Sequence, residues 1–351
     1  MLEFENNFIT LYILMALVAL INIIVKPSDK TNKILIVIFG IFWLLLFGFR
    51  DFEVGSDTRA YLYSYNEFLF SNDTLNFENS KDLGYFFYMI IISQFSLSER
   101  LFIFFFDFLY LFPVIYFFQK IKTEHVFLLF FSFCSFFFFK TMGINIMRQG
   151  VGVSFFLLGM YYFFENRKKN AYLFFFIGFL FHGSLITAIL AIILSKKIKS
   201  LKIPLAIYIV SMIVSYIGFD FNSLFSKIPI ISFLFQERLS SLIEYDENDY
   251  QTGFRLSFVI FNSLFALIAI YFYKKGIVKL IPYYNNILYF YLILSGLFFI
   301  MFSLPFSDRT GIMSWIVIPI LLMPLLKMKN IELSMLKLYF LNIFIFIYFN
   351  I

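Results

Sequence analysis

Residues 33–61 read KILIVIFGIFWLLLFGFRDFEVGSDTRAY. Behind the leading lysine, residues 34–49 are apolar throughout, and at ~1.5 Å per residue such a run covers most of a ~30 Å hydrocarbon core. The charges begin at Arg50, where a membrane helix would end. Gly55 and Ser56 before Asp57 bring turn chemistry, because glycine takes left-handed backbone angles freely and Asp or Ser side chains bond nearby amides. The stretch therefore reads as a polar knot at a bilayer surface, although a plain solvated loop has the same composition.

The rest of the chain supports the membrane reading. Of 351 residues, 61% are hydrophobic and 14% charged, and mean hydropathy is +0.86, whereas soluble domains are only ~45–50% apolar. The 57 Phe and 23 Tyr suit helix contacts in lipid, where packing rather than water exclusion drives association. The lone Cys134 sits in a Phe-rich run and excludes an internal disulfide. A net charge of +6 is spread in short clusters between apolar runs, which fits cytoplasmic loops and gives no reason to expect nucleic acid. Residues 1–7 carry Glu3 and Glu5 and no cation, so a cleavable signal peptide is not expected.

Apolar runs predict spans near 8–25, 33–49, 101–118, 125–140, 149–164, 203–219, 254–273, 286–304, 311–326 and 336–351. Two stretches fit poorly. Residues 84–95 would rise only ~18 Å as a helix and should lie in the interface or re-enter. Residues 171–195 are interrupted by His182, Gly183 and Ser184, and lysines flank both ends. Because both flanks then favour the cytoplasm, we expect a short hairpin or two half-helices bending near His182. The expectation is an all-α polytopic membrane protein: about 10–12 transmembrane helices with re-entrant or half-helical pieces, forming one domain over 1–351. Two larger external loops are expected at about 50–82 and 220–253, with both termini outside.

Arginines gather at the expected outer helix ends: Arg50, Arg148, Arg238, Arg255 and Arg309, with Arg59 and Arg100 nearby. Cations outside run against the positive-inside bias, and arginine is the usual fork for phosphate, so these residues suit a lipid-linked phosphate or pyrophosphate. Snorkelling or pairing with an acid would also explain any one of them. Arg148 stands out because it opens a helix, where free amides favour anions. Arg309 has Asp308 beside it, and Arg238 and Arg255 flank an acidic loop. His182 reads as a hydrogen-bonding buried histidine or as a reacting group, and Asp107 is the other ionisable group inside a span. No Walker A, HExxH, CxxC or glycine-rich dinucleotide motif occurs, so no cofactor is expected. With two distant histidines, no metal is expected either.

Read in order, Arg50, Gly55, Asp57, Thr58 and Tyr61, then Asn145, Arg148 and Gln149, then His182 and Ser184, then a late Arg309, resemble the EpsG family. That family groups with the Wzy-type polymerases of bacterial O-antigen, capsule and exopolysaccharide pathways. The family commonly carries an acid shortly before Gly-Tyr, and here Asp82 precedes Leu83-Gly84-Tyr85. Beyond Ser195 the match is loose. The resemblance implies a membrane glycosyltransferase that joins undecaprenyl-pyrophosphate-linked oligosaccharides at the outer face of the bacterial inner membrane. Its other partners would be membrane lipid, a chain-length regulator and a flippase. Arg148 and Arg309 would hold pyrophosphate, Arg50 would brace the loop or take a second phosphate, and Asp57 or His182 would be the base. Thr58, Tyr61, Asn145, Gln149, Arg238 and Arg255 would contact pyrophosphate or glycan. A lipid-linked oligosaccharide flippase, an O-antigen ligase or an acyltransferase are the competing expectations, and the absence of paired inverted halves argues against a transporter.

Overall fold

The computed structural model describes residues 2–70, 82–95, 97–219, 252–276, 281–328 and 330–350. All regular structure among them is helical. They fall into two compact units, Met1–Ile186 with Leu325–Ile351, and Thr187–Pro324.

The first unit holds α1 (Leu2–Val25), α2 (Asp29–Gly48), α3 (Thr58–Phe70), α4 (Leu83–Phe95), α5 (Glu99–Lys120), α6 (Val126–Ser135), α7 (Phe137–Ile144), α8 (Met147–Phe164), α9 (Lys168–Phe181) and the C-terminal α16 (Ile331–Asn350). Helix α1 shows what solvent the fold is built for. One face, with Phe8, Tyr12, Met15 and Ala19, is buried, while Ile13, Leu17, Ile21 and Ile24 stand exposed along the other. A continuous apolar face of that kind fits lipid and would be an aggregation hazard in water.

Inside lipid every backbone group needs a partner. Pro113 interrupts α5 and cannot bond the Leu109 carbonyl, and that carbonyl accepts the Ser154 hydroxyl of α8 instead, at 3.3 Å. Helices α8 and α9 approach through small residues: a Cβ at Gly178 would lie 2.7 Å from the Gly152 carbonyl oxygen. Tyr12 stacks on Phe346 with ring centroids 3.4 Å apart and donates to the Asn342 carbonyl, tying α1 to α16.

Ion pairs and hydrogen bonds define two ends of this unit. At one end Lys26 pairs with Glu332, Asn32 donates to the Glu124 carbonyl at 2.6 Å, and Tyr116 meets Tyr162 at 3.3 Å. This end gathers the lysine-rich connections. At the other end Lys140 pairs with Glu5, and Arg50 and Arg148 follow the ends of α2 and α7.

The second unit contains the bulk of α10 (Leu185–Lys197), then α11 (Lys202–Tyr216), α12 (Leu256–Lys275), α13 (Tyr284–Ile300), α14 (Asp308–Trp315) and α15 (Ile318–Leu321). Its core is pinned by the buried Asn262, whose Oδ1 accepts from Ser295 at 3.0 Å and from Trp315 Nε1 at 3.1 Å, while Tyr291 donates to its carbonyl at 2.9 Å. A satisfied amide of this sort cross-links three helices where no water competes.

Among the described residues seven helices are long and apolar enough to cross a membrane, eight if the bent α6–α7 pair counts as one span. This is fewer than the ten to twelve expected. The difference lies mainly in the expected spans 149–164 and 203–219, which fold as α8 and the 15-residue α11 and are not among the seven. The span expected over 125–140 is broken: α6 and α7 meet at 70°. The Ser135 hydroxyl takes the Phe131 carbonyl at 2.8 Å, a back-bond that bends helices, and Phe136 is extended. The interruption expected near His182 is present, since α9 ends at Phe181, His182 has extended backbone angles and α10 starts at Leu185.

Candidate functional site

The polar knot at 50–61 is held by its own residues. Gly55 has φ +91, and a Cβ there would lie 2.4 Å from the Ile144 carbonyl oxygen. Only glycine meets both conditions. The backbone N–H of Ser56 donates to Asn145 Oδ1 at 2.9 Å, and the Thr58 hydroxyl donates to the carbonyls of Val54 at 2.7 Å and Ile144 at 3.2 Å. The Gly-Ser-Asp-Thr turn is thus docked onto the break between α7 and α8.

Arg50 lies beneath that turn, fully buried. Its Nη1 donates to the Phe47 carbonyl and to Asp107 Oδ2, both at 2.6 Å, and its Nη2 reaches Thr58 Oγ1 and Met147 Sδ. The Asp107 carboxylate is buried with it, on the facing helix α5. Arg100 donates to the Arg50 carbonyl and lies over the Phe52 ring at 4.4 Å. Arg59 points outward to Glu53, whose hydrogen bond pushes the Arg59 pKa up.

Arg148 is placed differently. It stands in the first turn of α8, whose N-cap residue Ile146 makes no side-chain cap. Its side chain is 33% exposed and its Nη1 pairs with Asp82 Oδ2 at 2.9 Å, the carboxylate itself being 5% exposed. The rings of Tyr61 and Tyr85 lie 5.8 and 5.6 Å from the guanidinium carbon, within the range of cation–π attraction. The Tyr85 hydroxyl donates to the Tyr61 carbonyl at 3.2 Å, and the Arg148 backbone N–H approaches the Tyr61 hydroxyl at 3.5 Å. Gln149 beside it is buried.

Asp82 extends the cluster to the break between α9 and α10, since its Oδ1 accepts the Gly183 N–H at 3.4 Å. His182, the residue before, is buried. Asp57 is half-buried at the head of α3, and its carboxylate takes the Ser56 hydroxyl at 2.8 Å. The first unit therefore brings Arg50, Thr58, Tyr61, Asn145, Arg148 and Gln149 together with the break at His182. Arg255 and Arg309 belong to the second unit, where their guanidinium carbons lie 5.7 Å from Phe258 and 4.6 Å from Phe306. Arg238 and most of the loop expected at 220–253 lie outside the described residues.

Asp82 and Tyr85 were not among the site residues expected from the sequence, and Asp107 had no role. The acid before Gly-Tyr was the available signal for the first two. Among the described residues no group of three or more His, Cys, Asp or Glu is gathered as a metal would require.

An all-helical membrane protein with a partly exposed arginine among tyrosines at one end of its first unit is the class these features define. The chain belongs to the EpsG family, whose model matches residues 33–351, nearly the whole length. Membership suggests a polysaccharide-polymerase-like membrane protein with glycosyltransferase-like chemistry. No curated protein and no solved structure matches the chain.

Proposed function

We infer that this EpsG-family protein is a polysaccharide polymerase that transfers a glycan from undecaprenyl pyrophosphate to a hydroxyl of another lipid-linked repeat, at the outer face of the bacterial inner membrane. The observation that carries the reading is Arg148, a partly exposed cation held between Tyr61 and Tyr85 and backed by Asp82. In the reaction the acceptor oxygen attacks the anomeric carbon, and the bond from that carbon to pyrophosphate breaks with its electrons going to the leaving group. The acceptor proton passes to a base. Arg148 meets the charge growing on the departing pyrophosphate, a contact worth ~3–4 kcal/mol when made in the transition state. Of the two candidate bases we assign His182, because its neighbour Gly183 is bonded to the carboxylate that pairs with Arg148. Asp57, at the head of α3, accepts the Ser56 hydroxyl. Arg50, buried with Asp107, braces the turn that carries Tyr61.

The test is the polysaccharide pattern of cells carrying Arg148→Ala, with the protein quantified in membranes. A collapse of the polymer ladder to single capped repeats supports the reading. A normal ladder removes Arg148 from the reaction, and repeats trapped inside the cell would make the protein a transporter.

A further inference from the structure

Asp82 does two things at once. One carboxylate oxygen pairs with Arg148 Nη1 at 2.9 Å and the other accepts the Gly183 N–H at 3.4 Å. The two partners differ in access, for the Asp82 carboxylate is almost fully buried while a third of the Arg148 side chain is open. The acid is therefore anchored and the arginine is the member that reaches outward. A guanidinium has five N–H donors in a fixed fork, so the Asp82 carboxylate and the Tyr61 side chain that also hydrogen-bonds it leave donors for a second anion on the open side. That second anion would stand beside the Asp82 charge, and like charges at such range repel strongly in a medium less polar than water.

We propose that Asp82 is the resident counter-ion of Arg148, weakening the hold of the site on a pyrophosphate headgroup so that the spent carrier can leave. The proposal rests on the reading of Arg148 as a pyrophosphate site and adds the residue that sets its release. In the empty site Asp82 neutralises an arginine that would otherwise sit half-buried and unbalanced, which costs heavily away from water. When the headgroup arrives, Arg148 is shared between two anions. After transfer the carboxylate is already in place to keep Arg148 paired, so departure of the lipid pyrophosphate leaves no bare charge behind. Asp82 acts through Arg148 and is a positioning residue, with no part in bond making.

The prediction has an unusual sign, because removing a polar residue should tighten binding. Asp82→Asn keeps the volume and an oxygen for the Gly183 N–H while deleting the charge. With purified full-length protein in detergent and inorganic pyrophosphate as the probe, calorimetry should find Asp82→Asn binding at least tenfold tighter than the unaltered protein, about 1.4 kcal/mol. Asp82→Glu, which restores the charge, should return the affinity to the unaltered value, and Arg148→Ala should bind weakest. Farnesyl pyrophosphate, with the same headgroup on a lipid tail, should give the same ratio between Asp82→Asn and the unaltered protein. In cells Asp82→Asn should shorten the polymer ladder despite the tighter binding, as release becomes slow. Should Asp82→Asn fail to fold, Asp82→Ser removes the same charge and is read in the same way. Equal or weaker pyrophosphate binding by the uncharged variants, with binding still dependent on Arg148, overturns the counter-ion role and leaves the site standing. Binding that Arg148→Ala does not alter overturns both.

Discussion

Two arginine–aspartate pairs in the first unit use the same chemistry to opposite ends. In Arg50–Asp107 both side chains are sealed, at 0% and 1% exposure, and the guanidinium is further spent on the Phe47 carbonyl and the Thr58 hydroxyl. In Arg148–Asp82 the acid is nearly as deep, at 5%, but the arginine is 33% exposed. A sealed pair whose two terminal guanidinium nitrogens are both engaged locks two elements in register. A pair whose cation faces outward keeps capacity for a ligand. What separates scaffold from site is how far the fold leaves the cation open, and the residue types alone do not reveal it.

The sharpest way to break this comparison is to delete one member of the sealed pair. Arg50→Ala or Asp107→Ala leaves an uncompensated buried charge, at a cost of ~3–5 kcal/mol, and should deplete the protein from membranes as read by immunoblot and by thermal melting in detergent. Arg50→Met with Asp107→Leu removes both charges and should recover much of that loss. If either single variant accumulates normally, the pair is not the lock described here. Next in size, Arg148→Ala should lower the polymerisation rate about a hundredfold or more, the ~3–4 kcal/mol of an anion-stabilising contact, compared at equal protein abundance because the variant also strips the nearly buried Asp82 of its partner. Arg148→Lys, which keeps charge but loses the fork, should fail nearly as badly. An active lysine variant would reduce Arg148 to a point charge.

A smaller effect is expected at the turn between the two pairs. Gly55→Ala forces a side chain into a positive-φ position against the Ile144 carbonyl, a strain of ~1–3 kcal/mol. Melting should fall and the ladder should shorten without vanishing. Smallest of all, Tyr85→Phe keeps the ring beside Arg148 and removes the hydroxyl's hydrogen bonds to the Tyr61 carbonyl and the Ser64 side chain, each worth ~0.5–1.5 kcal/mol. Melting measurements should place it below Gly55→Ala, and a larger loss of polymer than of stability would mean that the hydroxyl touches the glycan.

The membrane character of the chain was legible from composition, and the break at His182 from the lysines on both flanks, because those signals are local and additive. The order of Gly55, Thr58, Asn145 and Arg148 marked the stretches that meet. Which acid met which arginine was not legible. Asp107 and Asp82 lie far along the chain from Arg50 and Arg148, and their pairing depends on helix packing that apolar runs do not encode. The surplus of expected spans has a related cause. A hydropathy window sees residues 125–140 as one run, while the Ser135 back-bond that turns α6 into α7 is a single hydroxyl choosing a carbonyl.

The docking of α16 against α1 bears on the order in which the protein can be made. Tyr12 lies near the start of the chain, and its partners Phe346 and Asn342 lie near the end. At ~5–20 residues per second of synthesis the two are separated by tens of seconds. Helix α1 must therefore wait in the bilayer with its Tyr12 face uncovered by α16 until the 330 residues that separate Tyr12 from Asn342 have been made. Interruption of translation before α16 would strand the first unit without its closing helix, and quality-control proteolysis would meet an open bundle.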